Sequence, residues 1–220
     1  MIDFSPSVLF DLSKFTHASI FDGCEYAWEA LPKIHGFLKA LPLGRIESEI
    51  PEGTILVNPE LLVIESGCVI EPGSYIKGPC YIGKGSTVRF GAYIRGDFIA
   101  GSGCVIGHST EIKNALFINN THAAHFAYVG DSILGSDVNL GAGTKLANLK
   151  LNRGQVSLKY KGKLLETHLR KFGAILGDGA QTGCNSVTNP GTIMGKRAVI
   201  YPCTNVSGFI PPHQSRIIRK

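Results

Sequence analysis

Stepping by six residues from Ile64 meets Ile70, Ile76, Ile82, Val88, Ile94, Ala100, Ile106, Ile112 and Ile118. All ten positions are apolar and eight are isoleucine, in a chain that is 44% apolar. Composition alone does not produce such a run. A helix repeats every 3.6 residues and a half-buried strand every two, so a period of six is neither. It fits a stacked unit of short strand, turn, short strand, turn, with the aliphatic residue inward and small residues at the corners. The register reads on through Ala124, shortens by one residue at Val129 and again at Leu134, and resumes at Leu140 and Leu146. A second array follows at Leu176, Thr182, Thr188, Met194, Ile200 and Val206.

This pattern resembles that of hexapeptide-repeat proteins. The resemblance implies an all-β fold, a left-handed parallel β-helix in which three hexads close one triangular coil. About twenty hexads then predict six to seven coils, stacked at the ~4.8 Å spacing of paired strands. Two segments leave the repeat. Residues 1–50 carry Trp28, Leu31, Ile34, Leu38 and Leu41 at the spacing of one helical face. Pro32 there starts a second helix or kinks the first. This segment reads as a helical cap or linker, and residues 51–220 as the β-helix domain. The insertion 148–172 is polar and basic, with a small hairpin expected around Lys161-Gly162. A long ordered loop of this kind is usually functional.

Bulk numbers narrow the function classes. Gly is 27 of 220 residues, charged residues are 18%, and the formal charge is +5. Apart from short runs near 159–171 and at the C-terminus, the basic residues are scattered, which suits small anionic ligands and argues only weakly for nucleic acid. No apolar run approaches the ~20 residues of a spanning helix. No signal-peptide pattern opens the chain, so the expected setting is the cytoplasm, without membrane association. Of the six cysteines, none forms a C-x-x-C pair, and Cys68, Cys80 and Cys104 are spaced by multiples of six. They read as small buried repeat residues, with no metal expected.

With eighteen residues per coil, Lys77, Arg95 and Lys113 stack in one column. Three cations at ~5 Å steps repel one another, and an anion between them relieves that repulsion. Arg95 is well shaped for phosphate; the plainer reading is a solvated basic stripe. His125 and Tyr128 fall next to the expected shortening of the register, which would re-aim side chains. Read without a family, they are equally a surface histidine and a packed tyrosine.

The run HAAHFAYVGDSILGSDVNLGAGTKLANL resembles the acetyltransferase domain of the bifunctional UDP-N-acetylglucosamine pyrophosphorylase/glucosamine-1-phosphate N-acetyltransferase. His125, Tyr128, Gly130, Asp131, Asn139, Gly141, Ala142, Gly143, Thr144 and Asn148 stand in that family's order and spacing. The long loop and Arg170 to Asp178 look more like the archaeal-type sugar-1-phosphate enzymes.

The resemblance implies an acetyl-CoA-dependent N-acetyltransferase acting on glucosamine-1-phosphate or galactosamine-1-phosphate, in the synthesis of UDP-N-acetylhexosamine. His125 is then the general base, and Arg95, Lys113 and Tyr128 hold the sugar phosphate. Asn139 and Asn148 contact the amino sugar and the acetyl donor. Ala142, through its N–H, contacts acetyl-CoA, and Cys184 and Pro202 line the pantetheine groove. A homotrimer with intersubunit sites is implied. The nucleotidylyltransferase motif G-x-G-x-R-x-x-x-x-P-K is absent, so no pyrophosphorylase activity is expected, and a separate nucleotidylyltransferase is the partner this leaves room for. Leu149 replaces the bacterial Tyr, and Gly154 and Ser157 replace archaeal-type lysines, with Arg153 and Lys159 nearby; these changes bear on substrate choice. Two other functions fit the same prism. One is a non-catalytic scaffold or regulatory protein. The other is a zinc hydratase of the γ-carbonic-anhydrase type using His108, His122 and His125, although that family's H-x-x-x-x-H spacing is absent.

Overall fold

The computed structural model describes residues 4–216. Its strands pair almost entirely in parallel, each with the strand about one coil before and after it. They build a left-handed parallel β-solenoid of about nine turns. That is more than the six to seven expected. The stack already begins with Arg45–Ile46, which pairs with Val63 and Ile64, well before the Ile64 register starts.

The prism has three faces. Face one runs from Arg45–Ile46 through Leu62–Ile64, Cys80–Ile82 and Phe98–Ala100 to Phe209–Ile210. Face two runs from Val69–Ile70 through Val105–His108 and His122–His125 to Ser215–Arg216. Face three runs from Ile55–Val57 through Tyr75–Lys77 and Tyr93–Ile94 to Asn205–Val206. Inward residues stack into one core that includes Ile64, Ile82, Ile94, Ile106, Leu140 and Met194. The second array keeps Thr182 and Thr188 inside, and the Thr182 hydroxyl hydrogen-bonds Thr144 Oγ1 at 2.8 Å.

The corner between faces one and two shows why the corners are rich in Gly, Asn and Asp. The same turn position has positive φ in successive coils, at Gly85, Gly103, Asn120 and Asp137. These residue types accept left-handed backbone most cheaply.

One of the two shortenings falls where the sequence places it, at Leu134, and the other falls at Phe117 instead of Val129. Face-one residues Phe117 and Leu134 pair and point inward, as do Ala123 and Leu140 on face two. The five-residue steps therefore fall at Ile112 to Phe117 and Val129 to Leu134. Both lie where Glu111–Phe117 and Tyr128–Leu134 run unbroken around the corner from face three to face one. Asn114 and Asp131, with φ of 47° and 46°, make the bend. His125 and Tyr128 sit on a corner of ordinary length.

The N-terminal segment lies along face one. A 3-10 helix, Ala27–Lys33, contains Pro32 and passes directly into an α-helix, Ile34–Lys39. Proline lacks the N–H that an α-helix would need there. Trp28, Leu31, Ile34 and Leu38 are buried, forming a second core with outward face-one residues such as Val63, Ile99, Leu116 and Ile133. The insertion adds an antiparallel hairpin, Ser157–Tyr160 with Lys163–Glu166. Its tip residues Lys161 and Gly162 both have positive φ, as a two-residue type I′ turn requires. Tyr160 anchors it edge-on against Phe4 and Phe209.

Candidate functional site

Face three carries the basic column. Tyr75 pairs with Tyr93, and Tyr93 with Glu111, so Lys77, Arg95 and Lys113 follow one another two residues further along. Lys113 then pairs with Gly130. The cations are not left facing one another. Arg95 Nη1 donates to Glu111 Oε1 at 2.7 Å, and this bond raises the guanidinium pKa further. Lys113 Nζ lies 3.2 and 3.3 Å from the two carboxylate oxygens of Asp131. The anions that relieve the column's repulsion are thus partly the chain's own.

Asp131 is the hub of this face. It is 4% exposed. Besides Lys113 it accepts from Asn114 Nδ2 at 2.9 Å and from Asn148 Nδ2. A buried carboxylate needs such donors to remain an anion. The shortened corner supplies them, because the bends at Asn114 and Asp131 bring both side chains to one place.

Gly130 is the floor. A Cβ there would lie 2.6 Å from both Asn148 Nδ2 and the Tyr128 hydroxyl. Those two polar ends therefore converge over bare backbone next to Lys113. Burial, then the charges of Glu111 and Asp131, push the Tyr128 phenol pKa up, so it stays a neutral donor and acceptor.

The remaining predicted residues are not all in this cluster. His125 is exposed, at the corner between faces two and three, and pairs in register with His108. Its carbonyl accepts from Gly143 N at 3.0 Å. Following the pairing of Asn139 with His122 and Gln181, Ala142 and Cys184 come next along the same corner, then Pro202. The Ala142 N–H has no protein acceptor among the described residues. Cys184 is exposed, and its carbonyl accepts from Cys203 N. Asn139 lies exposed on face two. One chain thus groups Arg95, Lys113, Tyr128 and Asn148 on face three. It strings His125, Ala142, Cys184 and Pro202 along a corner and leaves Asn139 apart. Among the described residues, no three His, Cys, Asp or Glu side chains gather as a metal-ligand set, and no helix is long and apolar enough to cross a membrane.

Sequence reasoning gave no role to Glu111, Asn114 or Asp131. Most of their links fall off the step of eighteen: Arg95 reaches Glu111 sixteen residues on, and Asn114 and Asn148 each lie seventeen from Asp131. Asp131 is eighteen residues beyond Lys113, but a column read for its cations ends at Lys113.

A family model described as the GMPPB C-terminal domain matches residues 76–215. A bifunctional sugar-1-phosphate nucleotidylyltransferase/acetyltransferase from Sulfurisphaera tokodaii is 41% identical over 97 residues, 44% of this chain and 24% of that protein. The bifunctional protein GlmU of Methanococcus maripaludis is 35% identical over 175 residues, 80% of this chain and 42% of that one. GlmU of Methanococcus vannielii is 42% identical over 95 residues, 43% and 23% of the two chains. The chain thus spans well under half the length of these relatives. With 140 residues matched by the family model, and with the stacked hexads and three-faced prism described above, the chain belongs to the GMPPB C-terminal-domain family, as a hexapeptide-repeat left-handed β-helix.

Proposed function

We propose that the chain is an acyltransferase that uses acetyl-CoA to acetylate the amino group of an amino-sugar-1-phosphate, with glucosamine-1-phosphate or galactosamine-1-phosphate as acceptor. The observation that carries this reading is the convergence of Tyr128 and Asn148 over Gly130, beside Lys113 and Arg95. A polar cradle flanked by a lysine and an arginine suits a sugar phosphate. The name of the Sulfurisphaera tokodaii relative, which joins sugar-1-phosphate nucleotidylyltransferase and acetyltransferase activities, supports the same class.

In this reading His125 Nδ1 or Nε2 takes a proton from the acceptor's ammonium or attacking amine. The nitrogen lone pair adds to the thioester carbonyl, the C–S bond breaks, and coenzyme A leaves as the thiolate, to be protonated. An imidazole ring nitrogen can accept and pass on a proton, which suits that transfer. The Ala142 N–H, without a protein acceptor among the described residues, is available to the carbonyl oxygen as charge develops there. The split of the predicted residues between a corner and two faces favours a homotrimer in which one subunit's corner meets another's face three. The protein is taken to act in the cytoplasm, without a metal.

The test is thiol release from acetyl-CoA, with mass detection of product, across a panel of amino-sugar phosphates. Acetylation of one sugar is expected. His125→Ala should retain the fold and lose ~10²-fold or more in turnover; an unchanged rate removes the proposed base. One observation favours the scaffold reading instead: Arg95 and Lys113 each already have a carboxylate partner. No turnover with any sugar from a folded protein would establish that alternative.

A further inference from the structure

The chain's positive charge has an address. Residues 148–172 hold seven lysines and arginines against one carboxylate, Glu166. That is six net positive charges, against five for the whole chain, so the other 195 residues together carry one net negative. Among the described residues, no ion pair involves any of the seven. Arg153, Lys159, Lys161, Lys163, Arg170 and Lys171 are exposed. The contrast with face three is direct, because Arg95 and Lys113 there each have an acid.

The hairpin's packing does not use these charges. Leu158 is buried, and Tyr160 holds the hairpin to Phe4 and Phe209. Unpaired like charges crowded on one small element repel one another and cost stability. The segment is also rooted on the candidate site. Phe172 N donates to Asn148 O at 2.9 Å, and Leu149 bridges Lys171. The Asn148 side chain also reaches Asp131. Each hairpin strand has four residues, about 14 Å. The Debye length is about 8–10 Å at physiological salt, so the tip lysines act on the root weakly there and more strongly at low salt, whereas Lys171 lies at the root itself.

We propose that the 148–172 insertion is an electrostatic collector for phosphorylated ligands. It speeds their association with the site rooted at Asn148, and its outer lysines do not touch the ligand once it is bound. The identity of the ligands rests on the acetyltransferase reading, in which both donor and acceptor are phosphate-bearing anions. The collector itself rests on the charge distribution.

The experiment compares the wild-type chain with K161Q/K163Q/K171Q, three exposed positions at which substitution leaves folding nearly unchanged. Stopped-flow fluorescence with etheno-coenzyme A, which keeps the phosphates of coenzyme A, gives association and dissociation rates between about 20 and 300 mM NaCl. The wild-type association rate should fall by roughly tenfold or more over that range. The triple variant should start several-fold slower at low salt and lose most of the salt dependence, with an unchanged dissociation rate. The salt dependence of kcat/KM for the amino-sugar phosphate reports the acceptor separately from the donor. Equal association rates and slopes in the two proteins, with turnover intact, overturn the collector alone. A change confined to dissociation also overturns it, since the lysines would then be direct contacts. A wild-type chain that neither binds etheno-coenzyme A nor acetylates any sugar overturns the acetyltransferase reading and the collector with it.

Discussion

Asp131 shows how one residue ties fold to site. Its left-handed backbone turns the shortened corner, and its carboxylate gathers Lys113, Asn114 and Asn148. Asp131→Asn keeps the size but removes the charge, and turns one acceptor into a donor facing donors. A cost of about 1–3 kcal/mol is expected from the partners left unsatisfied, read as a lower urea midpoint. KM for the amino-sugar phosphate should rise with it, because Lys113 and Asn148 lose their anchor. Wild-type KM and stability together would show that the hub positions nothing. Gly130→Ala separates the two effects. The added methyl meets the far ends of Asn148 and Tyr128; moving Asn148 aside takes one donor from Asp131, so stability should fall by about 1 kcal/mol, less than for Asp131→Asn. Acceptor binding should nevertheless weaken about tenfold, because those two ends are the cradle; an unaltered KM would place the acceptor elsewhere. The sequence made the cations of this face legible because they repeat every eighteen residues. Their acids stayed hidden for two reasons: Glu111 reaches Arg95 by a bond off that step, and Asp131, although eighteen residues beyond Lys113, changes the sign of the column's charge.

At the scale of the coil, backbones approach so closely that some positions exclude any side chain. Gly107 lies between Ile106 and His108 on face two, and a Cβ there would collide with the backbone of Ala124 in the next coil. Backbone cannot swing aside as a side-chain tip can. Gly107→Ala should therefore force apart the strands that pair His108 with His125, at about 3 kcal/mol or more. A urea midpoint near that of wild type would mean that the coils are more compliant than their contacts indicate. The hexads themselves were plain in the sequence, since inward Ile64, Ile70, Ile76 and Ile82 repeat without interruption. The register was misplaced by one residue at Ile118 and Ala124, for a definite reason. The inward residues are Phe117 and Ala123, but Ile118 is also buried, in the second core beneath the N-terminal segment. Where a face is covered on its outside, apolar residues point both ways, and a hydrophobic period no longer marks the inner one.

Across the whole molecule the two additions to the repeat work on the same side. The N-terminal segment and the inserted hairpin both pack on face one, which leaves faces two and three, with the predicted site residues, open. On the corner between those faces Phe90 and Phe126 are 57% and 55% exposed, and both rings pack against His108. Phe126 also has a φ of 51°, a region that a bulky residue enters at a cost and that Asp enters more cheaply. A strained, largely exposed aromatic next to His125 gains little for an isolated chain beyond its contact with His108. In the proposed homotrimer it is an apolar contact at the subunit boundary. Phe126→Asp separates these cases. It relaxes the turn, so the single chain should keep its stability or gain slightly. Burying the new carboxylate between subunits is costly, so the assembly should dissociate, and turnover should fall with it although His125 is untouched. Sedimentation velocity reads the mass directly: a wild-type trimer and a variant monomer are expected, whereas a variant of wild-type mass would take Phe126 out of the interface.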